Sequence, residues 1–167
     1  MKKTDLTKTD LAKTDLKKTD LKKTDLKKND LKKKALKQQV SDAIHACQEK
    51  KAEQITVLEL EQGSGAFTDY FVVCSGTNPR QIQAISDEVE LRLKRAGQYP
   101  NSIEGYKQAE WVLIDYVDFV VHIFSETARK YYDLERLWKS AKKLEPAELV
   151  AKPRKRAVAK KAVKKRA

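Results

Sequence analysis

The chain has 167 residues, of which 40% are hydrophobic and 36% charged, and its formal net charge is +12. This length suits one core of ordinary size with some chain to spare. No apolar run approaches the roughly 18 residues that a membrane-spanning helix requires. The N-terminus lacks the apolar core of a signal peptide, and its regular aspartates argue against a transit peptide. The sequence therefore predicts a cytoplasmic protein with no membrane segment.

Charge is distributed unevenly along the chain. Residues 1–37 contain 14 Lys and 6 Asp, and residues 139–167 contain 12 Lys or Arg and 2 Glu. Residues 38–138, in contrast, carry 10 basic and 16 acidic side chains. We therefore expect an acidic folded domain between two basic tails, and the tails rather than the domain to be suited to nucleic-acid phosphates.

The N-terminal segment, residues 1–33, repeats every five residues, with "KTDL" at 3, 8, 13, 18 and 23 and "KNDL" at 28. Leucines five residues apart scatter round a helix and form no apolar stripe. The segment also resembles a pentapeptide β-solenoid, but it has too few repeats to bury a core. We predict a solvated arm, weakly helical or disordered, and a flexible Lys/Ala/Arg-rich tail over 146–167.

The predicted domain, residues 34–145, begins with a helix near Lys34. Its apolar face follows helical spacing and comprises Leu36, Val40, Ala43, Ile44 and Cys47. Strands are predicted at 55–60 and 67–75 because both segments are rich in β-branched and aromatic residues. The next helix has Asn78 as N-cap, Pro79 at its first position and Gly97 as its stop. Ile82, Ile85, Val89, Leu93 and Ala96 form its apolar face.

Two more strands are predicted at 110–116 and 119–125, after a loop that contains Pro100 and Gly105. A final helix opens at Ser125 and Glu126, and its predicted apolar face is Leu134, Leu137, Trp138 and Ala141. The element order is α-β-β-α-β-β-α, which indicates a single α/β domain of ordinary size.

Few residues indicate a catalytic, metal-binding or phosphate-binding site. Asp115 and Asp118 are three apart, so they suit a turn better than a shared metal. His122 shares a strand face with Val120 and Phe124, which is typical of a hydrogen-bonded, partly buried histidine.

Cys47 and Cys74 lack paired spacing and are expected to be buried thiols. The stretch "SGTNPR" has one glycine and no P-loop lysine. We predict no metal, no cofactor and no enzymatic activity.

Aromatic residues in the last third of the chain suggest binding instead. Trp and Tyr dominate binding hot spots, and this region contains Trp111, Tyr116, Tyr131, Tyr132 and Trp138. Trp138 is expected to pack its own helix against the sheet. Trp111 and Tyr116 lie on opposite faces of a continuous strand, so only one of them faces the core.

The runs "TDYFVVCSGTNPRQIQAISDEVE" and "EGYKQAEWVLIDYVDFVVHIFSETARKYYDLERLW" resemble the ribosomal silencing factor family, also called the Iojap family. The resemblance covers roughly residues 34–138. It implies a fold similar to a minimal nucleotidyltransferase without the catalytic residues. It also implies binding to the large ribosomal subunit through large-subunit ribosomal protein number fourteen, with a steric block of small-subunit joining when nutrients are short.

The resemblance implies a partner-binding surface, for which we predict eight residues: Trp111, Asp115, Tyr116, Asp118, His122, Tyr132, Leu134 and Trp138. The chain departs from the family pattern at the turn, where Val117 replaces a glycine that would adopt positive φ easily. We expect docking through one exposed sheet face and the adjoining helix, with the basic tails contacting rRNA.

Two alternatives remain open on the sequence alone. One is a nucleotidyl- or phosphotransferase that uses "SGTNPR", with Asp69 and Asp115 as metal ligands. The other is a nucleic-acid-binding protein that acts through its basic tails. The sequence also leaves open whether the domain forms a homodimer and what the five-residue repeat does.

Overall fold

The computed structural model describes residues 8–61 and 65–150, with side chains from residue 26 onward. The helices are α1 (Lys8–Glu49), α2 (Pro79–Arg95), α3 (Glu126–Tyr132), α4 (Leu134–Leu137) and α5 (Pro146–Leu149). The strands are β1 (Glu53–Glu59), β2 (Tyr70–Gly76), β3 (Ser102–Glu104), β4 (Trp111–Asp115), β5 (Phe119–Ser125) and β6 (Lys142–Leu144). The predicted α/β class and the order of its seven main elements are confirmed.

The strands form one sheet in the order β3-β4-β5-β2-β1-β6. β2 and β5 run parallel at its centre, and every other neighbouring pair is antiparallel. Helices α1 and α2 cover one face of the sheet, where the main core lies. Its largest fully buried side chains include Ile44, Ile82, Ile85, Leu93, Ile114 and Phe119.

Helix α2 forms as the sequence predicts because its ends are specified locally. The Asn78 side chain accepts a hydrogen bond from the Gln81 backbone N–H at 2.9 Å, which caps the first turn. Basic residues occupy the last turn, and Gly97 follows with φ +79°. The predicted apolar face is buried except at Ala96, which is the exposed C-cap residue.

Helix α1 begins at Lys8, so the helix predicted from Lys34 extends back through the repeat, for which a weakly helical arm was one of the two expectations. The segment around Leu36 and Val40 is packed against the core, and the Lys and Leu residues of the repeat are compatible with continuing the helix. Leu26 and Leu31 are 64% and 68% exposed. This exposure agrees with the expected absence of an apolar stripe in the described part of the repeat.

The predicted final helix is broken. Asp133 adopts the left-handed conformation with φ 42°, which ends α3 and starts the short helix α4. An aspartate tolerates this conformation better than most residues. Leu134 is buried, whereas Leu137 is 70% exposed, so the predicted apolar face does not form as a single stripe.

Three short elements were not predicted. Strand β3 lies within the predicted loop, and β6 begins just past Ala141, the last residue of the predicted final apolar face. Helix α5 falls in the segment predicted as a tail, and Leu149 and Val150 pack against the main core. Strand β2 starts at Tyr70 rather than Phe67, which leaves Phe67 99% exposed.

The two cysteines are buried as predicted. Cys47 on α1 and Cys74 on β2 are free thiols whose sulfur atoms lie 3.8 Å apart. Their mutual hydrogen bond, together with burial, raises the pKa of Cys47. Both thiols therefore serve as small core groups between the first helix and the sheet.

Candidate functional site

The second face of the sheet is only partly covered by described residues. Helices α3 and α4 pack over one end of it, against Val73 and Phe124. The other end is an open groove of about 400 Å³ formed by β2, β5, β4, β3 and the loops at their ends. Its lining residues are Phe67, Thr68, Phe71, Asn101, Ser102, Glu104, Leu113, Asp115, Val117, Val120 and His122. We call this feature the sheet groove.

Alternation along three strands builds the floor of the sheet groove. Phe71 pairs with Val120 across β2 and β5, and Leu113 pairs with His122 across β4 and β5. Successive strand residues point to opposite faces, so these four side chains share one face while their neighbours enter the main core. The result is an apolar floor with one imidazole in it.

The rim of the sheet groove combines exposed apolar and acidic groups. Phe67 is 99% exposed and Val117 is 61% exposed. Glu104 and Asp115 supply carboxylates, and none of the described lining residues is Lys or Arg. An occupant suited to this groove therefore brings an apolar group together with positive charge.

His122 is held in one protonation state by its surroundings. It is 4% exposed, and its Nδ1 accepts a hydrogen bond from the Trp111 indole Nε1–H at 3.2 Å. Burial lowers the pKa of His122 to about 4. Because the indole can only donate, Nδ1 must carry the lone pair, and the proton of the neutral ring is on Nε2. The predicted hydrogen-bonded, buried histidine is confirmed.

An aromatic cluster adjoins the sheet groove on the same face. The Trp111 ring lies 5.0 Å from Phe124 and 4.6 Å from Tyr132, measured between centroids. Trp138 meets the edge of Phe71 at 5.5 Å, as expected for a residue that packs its own helix on the sheet. This cluster connects the groove floor to α3 and α4.

The turn between β4 and β5 is built by Asp115. Its Oδ1 accepts a hydrogen bond from the Val117 backbone N–H at 2.7 Å, and its Oδ2 accepts one from the Asn101 amide at 2.9 Å. The turn role predicted for Asp115 is confirmed. Val117 has φ 69°, the left-handed conformation that a β-branched residue adopts at a cost. The carboxylate of Asp118 lies 3.7 Å from Lys32 of α1.

The structure places the eight predicted residues in three locations. Five of them lie together on the groove face, namely Trp111, His122, Tyr132, Leu134 and Trp138. Asp115 and Asp118 lie at the turn. Tyr116 is on the opposite face, where its ring stacks on Phe119 at 4.8 Å within the main core, so it does not contribute to the sheet groove.

Sequence reasoning missed most of the groove lining. Phe71, Leu113 and Val120 are two residues from Val73, Trp111 or His122 in their strands, so the period of two was a usable signal. Phe67 and Thr68 had no such signal because they precede β2 in a bend whose position depends on tertiary contacts. One of these contacts is the hydrogen bond from the Asp69 N–H to the Asp118 carbonyl at 2.9 Å.

The structure also bears on the alternative sites. Within residues 26–61 and 65–150, no group of three or more His, Cys, Asp or Glu is placed to hold a metal ion. In "SGTNPR", the backbone N–H of Thr77 and its hydroxyl both donate to the Gln81 side chain at 2.8 Å, so these groups serve the helix cap. None of the described helices is long and apolar enough to cross a membrane.

Comparisons with known proteins agree with the resemblance. A family profile described as "Ribosomal silencing factor during starvation" matches residues 33–167. A ribosomal silencing factor from Halalkalibacterium halodurans is 42% identical over 103 residues, which are 62% of this chain and 87% of that protein. A mouse protein named "Mitochondrial assembly of ribosomal large subunit protein 1" is 30% identical over 54% of this chain and 41% of its own length.

A solved structure shows the same fold. The crystal structure of a Chromobacterium violaceum protein superposes with a TM-score of 0.59 at 33% identity, covering 61% of this chain and 84% of that one. The profile match spans most of the chain, including the strands that form the sheet groove and the helices around it. The chain therefore belongs to the ribosomal silencing factor family.

Proposed function

We propose that this protein is a cytoplasmic translational repressor. It binds the large ribosomal subunit through large-subunit ribosomal protein number fourteen and prevents the small subunit from joining when nutrients are limiting. The family description, which refers to starvation, supports this role. The name of the mouse relative, which refers to assembly of the mitochondrial large subunit, supports the ribosomal partner.

The observation that carries the proposal is the sheet groove with its apolar floor and acidic rim. Most ribosomal proteins are basic, so the Glu104 and Asp115 carboxylates favour such a surface and disfavour bare rRNA. Exposed apolar groups, Phe67 above all, lie outside the core formed by the described residues and suit an interface. We propose that the groove and the adjoining Trp111–Tyr132 cluster form the docking face, burying roughly 800 Å² on each partner.

The proposed mechanism is steric and has no catalytic step. Asp115, one of the two carboxylates considered as metal ligands, accepts hydrogen bonds from Val117 in its own turn and from the Asn101 side chain. His122 is buried and neutral, so it lacks the pKa near neutrality that favours a general base. Repression would follow from the bulk of the bound domain.

Helix α1 adds a basic arm to the domain. From Leu36 back to Lys8 it extends about 40 Å at 1.5 Å per residue. The charge pattern of this segment, with paired lysines in most repeats, suits rRNA phosphates next to the protein partner. We propose that the arm and the C-terminal tail strengthen binding electrostatically, while the sheet groove selects the site.

Sedimentation tests the proposal directly. Purified large and small subunits are mixed with and without the protein and separated on a sucrose gradient. The protein is expected to travel with the large subunit and to lower the yield of joined particles. Its absence from the large-subunit fraction, or turnover of a nucleotide at a substantial rate, would refute the proposed function.

A pair of exposed aromatics tests the docking face. Phe67→Ala removes a rim residue that is 99% exposed, so folding is expected to be unaffected. If Phe67 contacts the partner, its loss should weaken large-subunit binding about tenfold or more, the range of a hot-spot residue. Tyr99→Ala is the matched control, because Tyr99 is 67% exposed, does not line the groove and lies against Lys94 of α2. Equal effects of the two changes would show that another face docks.

A further inference from the structure

Two polar atoms in the lining of the sheet groove are buried without a hydrogen-bond partner among the described residues. They are Nε2 of His122 and Oγ1 of Thr68. Such atoms are rare in folded proteins, since leaving a buried donor or acceptor unpaired costs stability. Both residues line one open groove, whereas the other two such atoms of the described residues, in Arg92 and Tyr116, lie outside it. A molecule bound in the groove is therefore placed to complete the hydrogen bonds of His122 and Thr68.

The protonation of each atom determines which kind of hydrogen-bond partner it requires. The Trp111 hydrogen bond fixes the His122 proton on Nε2, so this nitrogen is a neutral donor and requires an acceptor. The Thr68 hydroxyl can donate or accept. A lone metal cation cannot satisfy the Nε2–H donor, and a purely apolar group satisfies neither atom.

The residues that line the sheet groove further restrict the kind of molecule that can bind there. The floor of Phe71, Leu113 and Val120 is apolar, and the rim carries Glu104 and Asp115. An occupant with peptide carbonyl and N–H groups, an apolar side chain and nearby positive charge meets all of these features. An extended stretch of a basic protein has this composition, whereas RNA would bring phosphates against the two carboxylates.

We propose that the sheet groove binds an extended polypeptide segment of the partner, which places one apolar side chain on the floor. A carbonyl or hydroxyl oxygen of the segment accepts the hydrogen bond of His122 Nε2–H, and a second polar group of the segment bonds to Thr68 Oγ1. Lys or Arg neighbours of the apolar residue face Glu104 and Asp115. This proposal rests on the proposed function and specifies how the partner is recognised.

Within this scheme, Trp111 is a positioning residue. Its indole N–H holds the His122 ring so that Nε2, rather than Nδ1, carries the proton. A ring without this constraint could present either tautomer to the groove, which would weaken selection for an acceptor. Trp111→Phe keeps a smaller aromatic ring in the cluster and removes the donor.

The test measures large-subunit binding by four variants of the full chain: His122→Phe, His122→Gln, Thr68→Val and Trp111→Phe. His122→Phe and Thr68→Val remove the unpartnered groups and are expected to weaken binding about tenfold each, as the partner's group is left unpaired. His122→Gln retains an N–H donor at a similar reach and should recover much of the loss. Thr56→Val, the same chemical change outside the groove, should bind like the wild type.

Two further measurements separate recognition from folding. Urea unfolding of each variant shows whether a loss of binding reflects a loss of structure, and binding is compared only among variants that are folded. The ¹⁵N chemical shifts of the imidazole ring, measured by NMR on the free wild-type protein, should show that His122 is neutral and protonated at Nε2. Trp111→Phe should shift this tautomer signal and weaken binding, but it should have little further effect in the His122→Phe background.

The outcomes distinguish the two proposals. If folded His122→Phe and Thr68→Val bind large subunits with the affinity of the wild type, the inference that the groove binds a peptide segment is wrong. The proposed repressor function is not affected by that result. An Nδ1–H tautomer would overturn the inference as well. Failure of the wild type to bind large subunits would overturn the proposed function and this inference with it.

Discussion

The buried neutral His122 makes the stability of this protein depend on pH in a specific window. In the folded chain its pKa is lowered to about 4 by burial, against an ordinary value of 6.5. The unfolded chain therefore binds a proton more readily than the folded chain does between these values. The contribution of His122 to stability is fully present above about pH 6.5 and is lost as the pH falls toward about 4.

The size of this effect follows from the two pKa values. One pKa unit corresponds to about 1.4 kcal/mol, so complete protonation costs on the order of 3 kcal/mol. Between about pH 7 and about pH 5, linkage predicts a loss of about 2 kcal/mol in the free energy of unfolding. Protonation would also place an N–H of the imidazolium against the Trp111 indole N–H, which abolishes their hydrogen bond.

Urea unfolding monitored by far-ultraviolet circular dichroism measures this effect without relying on Trp111 fluorescence. The free energy of unfolding is determined for wild type and His122→Phe at several pH values in this window. Carboxylates and His45 are present in both proteins, so their effects cancel in the difference. The wild type should lose about 2 kcal/mol more than the variant between about pH 7 and about pH 5. Parallel pH profiles for the two proteins would refute the reasoning.

Three further predictions concern the backbone and the arm. Val117→Gly relieves the strain of φ 69° and should raise the free energy of unfolding by about 1 kcal/mol, measured by urea unfolding. Gly105→Ala places a Cβ 2.0 Å from the Trp111 carbonyl oxygen and should destabilise by more than about 2 kcal/mol in the same assay, whereas Gly97→Ala, with nothing within 4 Å, should cost only about 1 kcal/mol. Deletion of residues 1–33 should make large-subunit binding less sensitive to salt, by roughly 0.7 to 0.9 in log–log slope for each rRNA phosphate that the arm neutralises in the full chain.

Each of these predictions has a definite contrary outcome. Unchanged or lower stability of Val117→Gly would mean that the turn relaxes without the strain assigned to it. Similar costs for the Gly105 and Gly97 changes would show that the chain near Trp111 moves aside easily. Equal salt slopes for the full chain and the truncated chain would exclude phosphate binding by the arm.

Elements with strong local signals were predictable. Helix α2 has its cap, its proline and its stop glycine in sequence, and α1 shows its buried face from Leu36 to Cys47 by spacing alone. The turn role of Asp115 and the buried state of His122 also follow from short-range pattern, because strand alternation and turn chemistry act over two or three residues. These features needed no knowledge of distant contacts.

Elements that depend on pairing were not predictable. Strands β3 and β6 are three residues each, too short to show alternation, and they exist because each pairs with a longer neighbour. The break at Asp133 lets Glu135 pair with Arg129, whose guanidinium also donates to Ser75 at 2.9 Å. The second of these bonds joins residues far apart in sequence.

The sequence by itself determined the α/β class, the acidic middle with basic ends, the capped helix α2 and the family resemblance, because composition, periodicity and short motifs carry all of these. Only the tertiary structure decided that Phe67, Thr68 and His122 meet in one groove, that the Trp111 indole sets the His122 tautomer, and that Tyr116 faces the core. The physical reason is that these facts depend on which strands become neighbours and on which face the helices leave open. Strand order and register determine the hydrogen bonds and the burial across a sheet. A short segment of the sequence specifies neither the strand order nor the register.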